Sequence, residues 1–306
     1  MQNDLFEKAP VHKAYFSFAL PVVFSMVISL IYNMADTYFI AGTGNTNLVA
    51  GVSLGAPIFT LMIALGDIFG LGGSSVISRL FGQKKDEDGK RLSVFCFYGA
   101  IVCGVIVAAV MMIFRAPILQ VLGADSDTIV YASQYYTWLV LGAPFIILVY
   151  TPSNLLRTEG FAVGSMTGTV LGAVVNIILD PVFIFVLDMG VVGAATATVI
   201  SQALSAVWVL RFLISAKSQI HLRISDLKPD VKILGSILAL GVSPFIMSAT
   251  ESAITIVMNH GLQTYGGDLY VGSMTILQSV LQLIFVPING FTNGVQPIIS
   301  DNFFAA

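Results

Sequence analysis

Eight stretches of this chain are apolar for long enough to cross the ~30 Å hydrocarbon core of a bilayer, at about 20 helical residues each. They are residues 14–41, 48–77, 92–114, 129–155, 162–186, 190–213, 233–258 and 270–299. The expected fold class is therefore an all-α polytopic membrane protein. Composition agrees, because only 10% of the residues are charged and 56% are hydrophobic, whereas soluble chains carry about 25% Asp, Glu, Lys and Arg. The first run is not a cleavable leader: it is too long, carries Asn33 and Asp36, and is followed at once by a second span. A net charge of −3 is too small to imply a nucleic-acid partner. Cys96 and Cys103 are seven residues apart in one run, about 10 Å of helical rise and too far for a bridge.

The placement of the basic residues sets the topology. Thirteen of the fourteen Lys and Arg flank one set of span ends, with Lys8 and Lys13 before the first run and Arg79, Lys84, Lys85, Lys90 and Arg91 after the second. Arg157 follows the fourth run, and Arg211, Lys217, Arg223, Lys228 and Lys232 surround the link between the sixth and seventh. Only Arg115 falls on the other side. The positive-inside rule then places the N-terminus in the cytoplasm, and no Arg is expected in mid-span.

Shifting the sequence on itself by 222 residues aligns Gly44 with Gly266, Leu61 with Leu283, Phe69 with Phe291, Gly72 with Gly294 and Ser78 with Ser300. Both copies enter the membrane in the same sense, a parallel repeat of the kind found in transporters whose halves rock around a central site. The expected organisation is an N-terminal six-helix lobe over residues 1–220, a cytoplasmic linker over 221–232, and an incomplete C-terminal lobe of two helices over 233–306. Two full copies would need about twelve spans, so the chain is expected to be truncated after the eighth.

Ionisable groups inside a bilayer cost roughly 2.5–3.5 kcal/mol each on insertion scales and call for a reason. Four qualify: Asp36, Asp67, Asp180 and Glu251. Asn33 precedes Asp36 on the same helical face, and Asn176 precedes Asp180 by one turn in NIILDP. By the topology, Asp36, Asn176 and Asp180 share one depth, in the outer half. A row of hydroxyls at Thr196, Thr198 and Ser201 enters the sixth span from that side. Such oxygens suit Na⁺ by the logic of hard cations, and two neighbouring carboxylates equally suit a shared proton. The plainer reading makes Asp36 and Asp180 helix-end groups wetted by headgroup water. Asp67 reads either as a cavity-lining group or as a helix-packing residue, and Glu251 as the carboxylate of the second half. The glycines and serines of GLGGSS (70–75) lack the lysine of a phosphate loop. His12, His221 and His260 have no partner motif, so neither metal catalysis nor a resident cofactor is expected.

As an ordered set, YNMADTYFIAG (32–42), GLGGSSVISRLFGQKK (70–85), LRTEGFA (156–162), NIILDPVFIF (176–185) and GVVGAATATVISQ (190–202) resemble the MATE family, the multidrug and toxic compound extrusion transporters, in its bacterial branch. The resemblance implies twelve helices in two six-helix lobes, eight of them present here. It implies a secondary active antiporter rather than an enzyme, exporting cationic or amphipathic drugs in exchange for H⁺ or Na⁺. It places cation or proton coupling on Asp36, Asn176, Asp180 and Thr198, with Glu251 as a possible second-lobe site and Asn33 and Asp67 as cavity-lining residues. A monomer in the bacterial plasma membrane is expected. Two alternatives remain open at this point: a lipid-linked saccharide flippase of the related superfamily, whose cavity would carry several Arg, and an inert truncated chain.

Overall fold

The computed structural model describes residues 10–124, 126–215 and 231–305, and these are helical with no strand among them. Residues 221–230 of the expected linker lie outside this set. In chain order the helices are α1 (Val11–Ala41), α2 (Thr46–Ser53), α3 (Ala56–Asp67), α4 (Gly73–Gly82), α5 (Asp86–Ile113), α6 (Arg115–Val121), α7 (Ile129–Leu141), α8 (Ala143–Thr158), α9 (Ala162–Pro181), α10 (Gly190–Leu213) and α11 (Val231–Ala305). A π-helical segment, Ile68–Gly72, joins α3 to α4, and a second, Val182–Val186, extends α9.

Six segments have membrane-spanning length and hydropathy among the described residues: His12–Ala41, Thr46–Gly82, Asp86–Ile113, Ala162–Val186, Gly190–Leu213 and the α7–α8 pair, bent by 48°. They coincide with the first six apolar runs to within a few residues. The outer surface is apolar, as lipid demands: Phe24 is 58% exposed and Val186 75%. Backbone groups in such helices must be satisfied internally, and buried hydroxyls help. Pro21 interrupts α1, and Ser25 Oγ donates to the Pro21 carbonyl at 2.8 Å. The α7–α8 bend falls at Gly142 and Pro144. A side chain at Gly142 would collide with Val199 of α10, so the corner packs directly onto α10.

The two π segments have separate causes. Pro181 cannot donate to the α ladder, and the hydrogen bonding widens beyond it, with Leu187 N bonded to Val182 O at 2.9 Å. In Ile68–Gly72 the driver is contact. A Cβ at Gly70 would lie 2.7 Å from Asn154 Nδ2 of α8, and one at Gly72 would lie 2.8 Å from Gly241 Cα of α11.

α11 differs from the expectation of two helices separated by a loop at 259–269, because its backbone is helical throughout. No proline lies between Pro244 and Pro287, so nothing in the predicted loop removes a backbone donor, and its glycines cost only about 1 kcal/mol each. Yet α11 is not a straight rod. Gly241 packs on Gly72, while Gln296 Nε2 donates to Ser75 Oγ at 2.7 Å. A straight helix would separate residues 241 and 296 by about 80 Å, whereas Gly72 and Ser75 are one turn apart. The segment therefore doubles back between Gly241 and Gly290, and its second arm lies along α1, with Gly294 against Ala19 and Gly290 against Val23.

Two buried clusters hold the bundle together. The larger includes Met62, Ala100, Leu139, Ile146 and Ala195. The smaller lies toward the basic face and joins Ile77, Leu92, Leu155, Leu213 and Ile237. Cys96 and Cys103 are both free, and Cys96 is buried against Gly73.

Candidate functional site

Polar residues recur along the inward faces of four helices. On α1 they are Ser25, Ser29, Tyr32, Asn33 and Asp36, spaced at helical intervals. On α10 they are Thr198, Ser201, Gln202 and Ser205, on α9 Thr169 and Asn176, and on α8 Ser153, Asn154 and Arg157. Together with Asp67 of α3, all of these except Asp36 line one cavity of about 190 Å³. Drug-sized pockets are about 300–1,000 Å³, so this space fits an ion and a few waters rather than a drug.

The cavity has two ends. Ser25 to Tyr32 and Thr198 to Ser205 each represent about 10 Å of helical rise. Tyr32, Asn33, Asn176 and Thr198 mark the end away from the Lys- and Arg-rich face. Ser25, Leu71, Arg157, Thr169 and Ser205 mark the end toward it.

At the far end Asp180 is 0% exposed and Asn176 1%. Asn176 Nδ2 donates to Asp180 Oδ1 at 3.3 Å, a long bond that leaves most of the acceptor capacity unused. Asp36, half-buried on α1, brings its carboxyl within hydrogen-bonding reach of Asp180. Asp36 Oδ1, Asn176 Oδ1 and Asp180 Oδ2 are buried without a hydrogen-bond partner. All three are acceptors. The site thus lacks positive charge or protons, and a buried unpaired carboxylate costs several kcal/mol. A single proton between the carboxyls, or a cation held by these oxygens, removes that deficit. Tyr32 borders the site and lines the cavity with Gln202, and Tyr135 lies close enough to feel both acids. Thr198 is buried on the cavity wall, but Thr196 faces elsewhere, its hydroxyl bonded to Val192 O at 2.6 Å. The expected hydroxyl row is therefore two residues, Thr198 and Ser201, on one face.

At the near end the arrangement is different. Arg157 is half-buried and lines the cavity, with Nη1 donating to Asn154 Oδ1 at 3.4 Å and Nε to Ser165 Oγ at 3.3 Å. Asn154 in turn donates to Tyr150 O at 2.9 Å. Asp67 shares the same cavity and acts electrostatically on Arg157. Arg157 follows the fourth apolar run and reads as a loop cation, but it belongs to the last turn of α8, which carries it to the cavity. Its signal was local, since Asn154, Arg157 and Tyr150 fall three and four residues apart.

The structure therefore brings Asp36, Asn176 and Asp180 together, sets Asn33 and Thr198 on the cavity at their end, and sets Asp67 on the same cavity with Arg157. Asn33 is largely exposed all the same. Glu251 is exposed on the first arm of α11, outside the cavity lining. Tyr32, Gln202, Asn154 and Arg157 were not singled out by sequence.

A family model described as MatE matches residues 21–182. The chain is 35% identical over 300 residues to the multidrug export protein MepA of Staphylococcus aureus (strain NCTC 8325 / PS 47), covering 98% of this chain and 66% of that protein. The chain thus spans about two thirds of the length of the curated relatives it matches. In structure it is similar to an outward-facing multidrug resistance MATE family transporter of the MOP superfamily, with a TM-score of 0.93, 28% identity, and coverage of 99% of this chain and 67% of that one. It is similar also to a MOP superfamily transporter from Pyrococcus furiosus, with a TM-score of 0.92, 27% identity, and coverage of 99% and 67%.

Proposed function

Because the chain belongs to the MatE family, we propose that it serves multidrug efflux across the bacterial plasma membrane, with its N-terminus in the cytoplasm. Export of cationic or amphipathic compounds is driven by exchange for H⁺ or Na⁺. Asp36, Asn176 and Asp180 receive the coupling ion, with Thr198 beside them. The observation that carries this reading is the set of three buried acceptor oxygens with no donor.

With the outer side open, H⁺ or Na⁺ from outside neutralises the acids, the helices carrying them pack more closely, and drug is released outward. Reopening to the cytoplasm discharges the ion. One charge moved inward through 100 mV supplies about 2.3 kcal/mol, roughly a fortyfold gradient. Among the described cavity-lining residues the one arginine, Arg157, faces an aspartate, so the flippase reading, which calls for several arginines, gains no support.

The test uses the chain in proteoliposomes, following ethidium efflux under imposed pH and Na⁺ gradients, with ion binding in detergent measured in parallel as proton release on Na⁺ addition. Ion binding and gradient-driven efflux are expected in the parent chain, with loss of both in Asp36→Asn and Asp180→Asn. Ion binding that survives both substitutions overturns the assignment.

A further inference from the structure

An antiporter works only if its coupling ion cannot run straight through, and the cavity that Asn176 and Thr198 of the proposed ion site line continues about 10 Å toward the basic face. We infer that Arg157, fixed at the inner end of this cavity, is the electrostatic barrier that denies a cation at Asp36, Asn176 and Asp180 a direct path to the cytoplasm. This inference rests on the coupling role proposed above for those residues.

Three observations and one general rule support it. Asn176, Thr198 and Arg157 line one continuous space. The acids lie beside its outer end, where Asn176 lines it, and the guanidinium lies at its inner end, so an inward-moving cation that has passed Asp67 meets the positive charge of Arg157. A positively charged arginine beside a narrow pore is a general way to exclude cations. Arg157 is also positioned, since Asn154 and Ser165 accept its Nη1 and Nε hydrogens, and Asn154 is wedged against Gly70 of the π segment, which leaves no room for a Cβ there. A guanidinium held from two sides stays in the path, whereas a mobile one would swing aside.

Asp67 faces the same cavity from α3. Its charge lies on the outer side of Arg157 and attracts the guanidinium toward the lumen, a positioning role rather than a second barrier. Tyr150 on α8 and Tyr32 on α1 also lie close to this pair, and neither contributes a positive charge.

The test measures passive ion flux through the parent chain in liposomes without drug, as reversal potentials and as ²²Na⁺ and proton uptake. A unit charge about 8 Å from the path at an effective dielectric of about 20 changes cation occupancy roughly thirtyfold. Arg157→Gln is therefore expected to raise Na⁺ or H⁺ leak by about that factor without raising chloride flux. Arg157→Lys is expected to stay near the parent, because it retains the cation, and Asp67→Asn to leak no more than the parent, because it removes only the opposing charge. An unchanged leak in Arg157→Gln overturns the inference, as does a leak that rises equally for chloride, the signature of a disrupted bundle. In Asp36→Asn/Arg157→Gln the leak should fall below that of Arg157→Gln alone. A leak that is cation-selective but undiminished in the double variant keeps the barrier and rejects the outer site as the ion's point of entry.

Discussion

The two ends of the lobe cavity are both polar and both inside the bundle, yet they are finished differently. At the outer end Asp36, Asn176 and Asp180 leave three oxygens without a donor. At the inner end Arg157 has its charge opposed by Asp67 and two of its N–H groups engaged. An end that is incomplete in itself is suited to receive something and give it up, and one that is complete is suited to stay as it is. The outer end is built by α1 and α9 and the inner end by α8 and α3, with Ser165 of α9 joining them, so neighbouring helices of one bundle carry the two kinds of finish.

The largest effect that would break this contrast comes from the outer end. Asp180→Asn supplies a donor where one is missing, and should abolish ion-linked efflux while raising thermal stability in detergent. Removing an unpaired buried charge is worth on the order of 2 kcal/mol, and a melt without added Na⁺ reads it. If Asp180→Asn instead melts lower, the outer end is already satisfied and the contrast fails. The inner end should respond in the opposite sense. Asn154→Leu removes the acceptor that holds Arg157 and is expected to lower stability by roughly 1–3 kcal/mol, with cation leak as a second readout.

Of similar size is a purely steric test of what holds the cavity shut. Gly72→Val places a side chain 2.8 Å from Gly241 and should cost about 1–3 kcal/mol by overpacking. It is expected to separate the first arm of α11 from the π segment, measured by cysteine cross-linking across that seam. The smallest effect belongs outside the membrane. Glu87 and Lys90 form an exposed ion pair at 3.0 Å in the first turns of α5, and the hydrogen bond from Lys90 holds the Glu87 carboxyl below its usual range. A lowered carboxyl contributes stability above its unfolded value and loses it as pH falls through the folded one. Because the pair is exposed, Lys90→Ala should leave the melting temperature unchanged at pH 7 and at pH 3 alike.

Sequence reading went furthest where lipid imposes a rule and stopped where it does not. Span length is such a rule, and the first six apolar runs match the helices closely. Intramembrane charge is another, and it exposed Asp36, Asp67 and Asp180 at once. What a lipid environment removes is the amphipathic signal that tells inside from outside in a soluble helix. Val22 is 1% exposed and Phe24 58% on the same helix, and both are apolar. Without that signal, Thr196 and Thr198 looked equivalent although only Thr198 lines the cavity. Arg157 read as a loop residue because run boundaries are set by hydropathy, whereas helix ends are set by hydrogen bonding. The reversal in α11 falls between Gly241 and Gly290, a range that includes the expected loop at 259–269, although the backbone there is helical.

The π segments at Ile68–Gly72 and Val182–Val186 also bear on how such a chain can change over generations. A π turn is an α-helix that has absorbed one extra residue. Each follows directly on an acid-bearing turn, at Asp67 or at Asp180–Pro181. Deleting one residue within Ile68–Gly72 would restore α geometry and leave the helices on both sides in register with their neighbours. The same deletion in the middle of α10 would rotate everything beyond it by about 100°. These two places are where the bundle has room to lose a residue without losing its frame, and both lie beside its carboxylates.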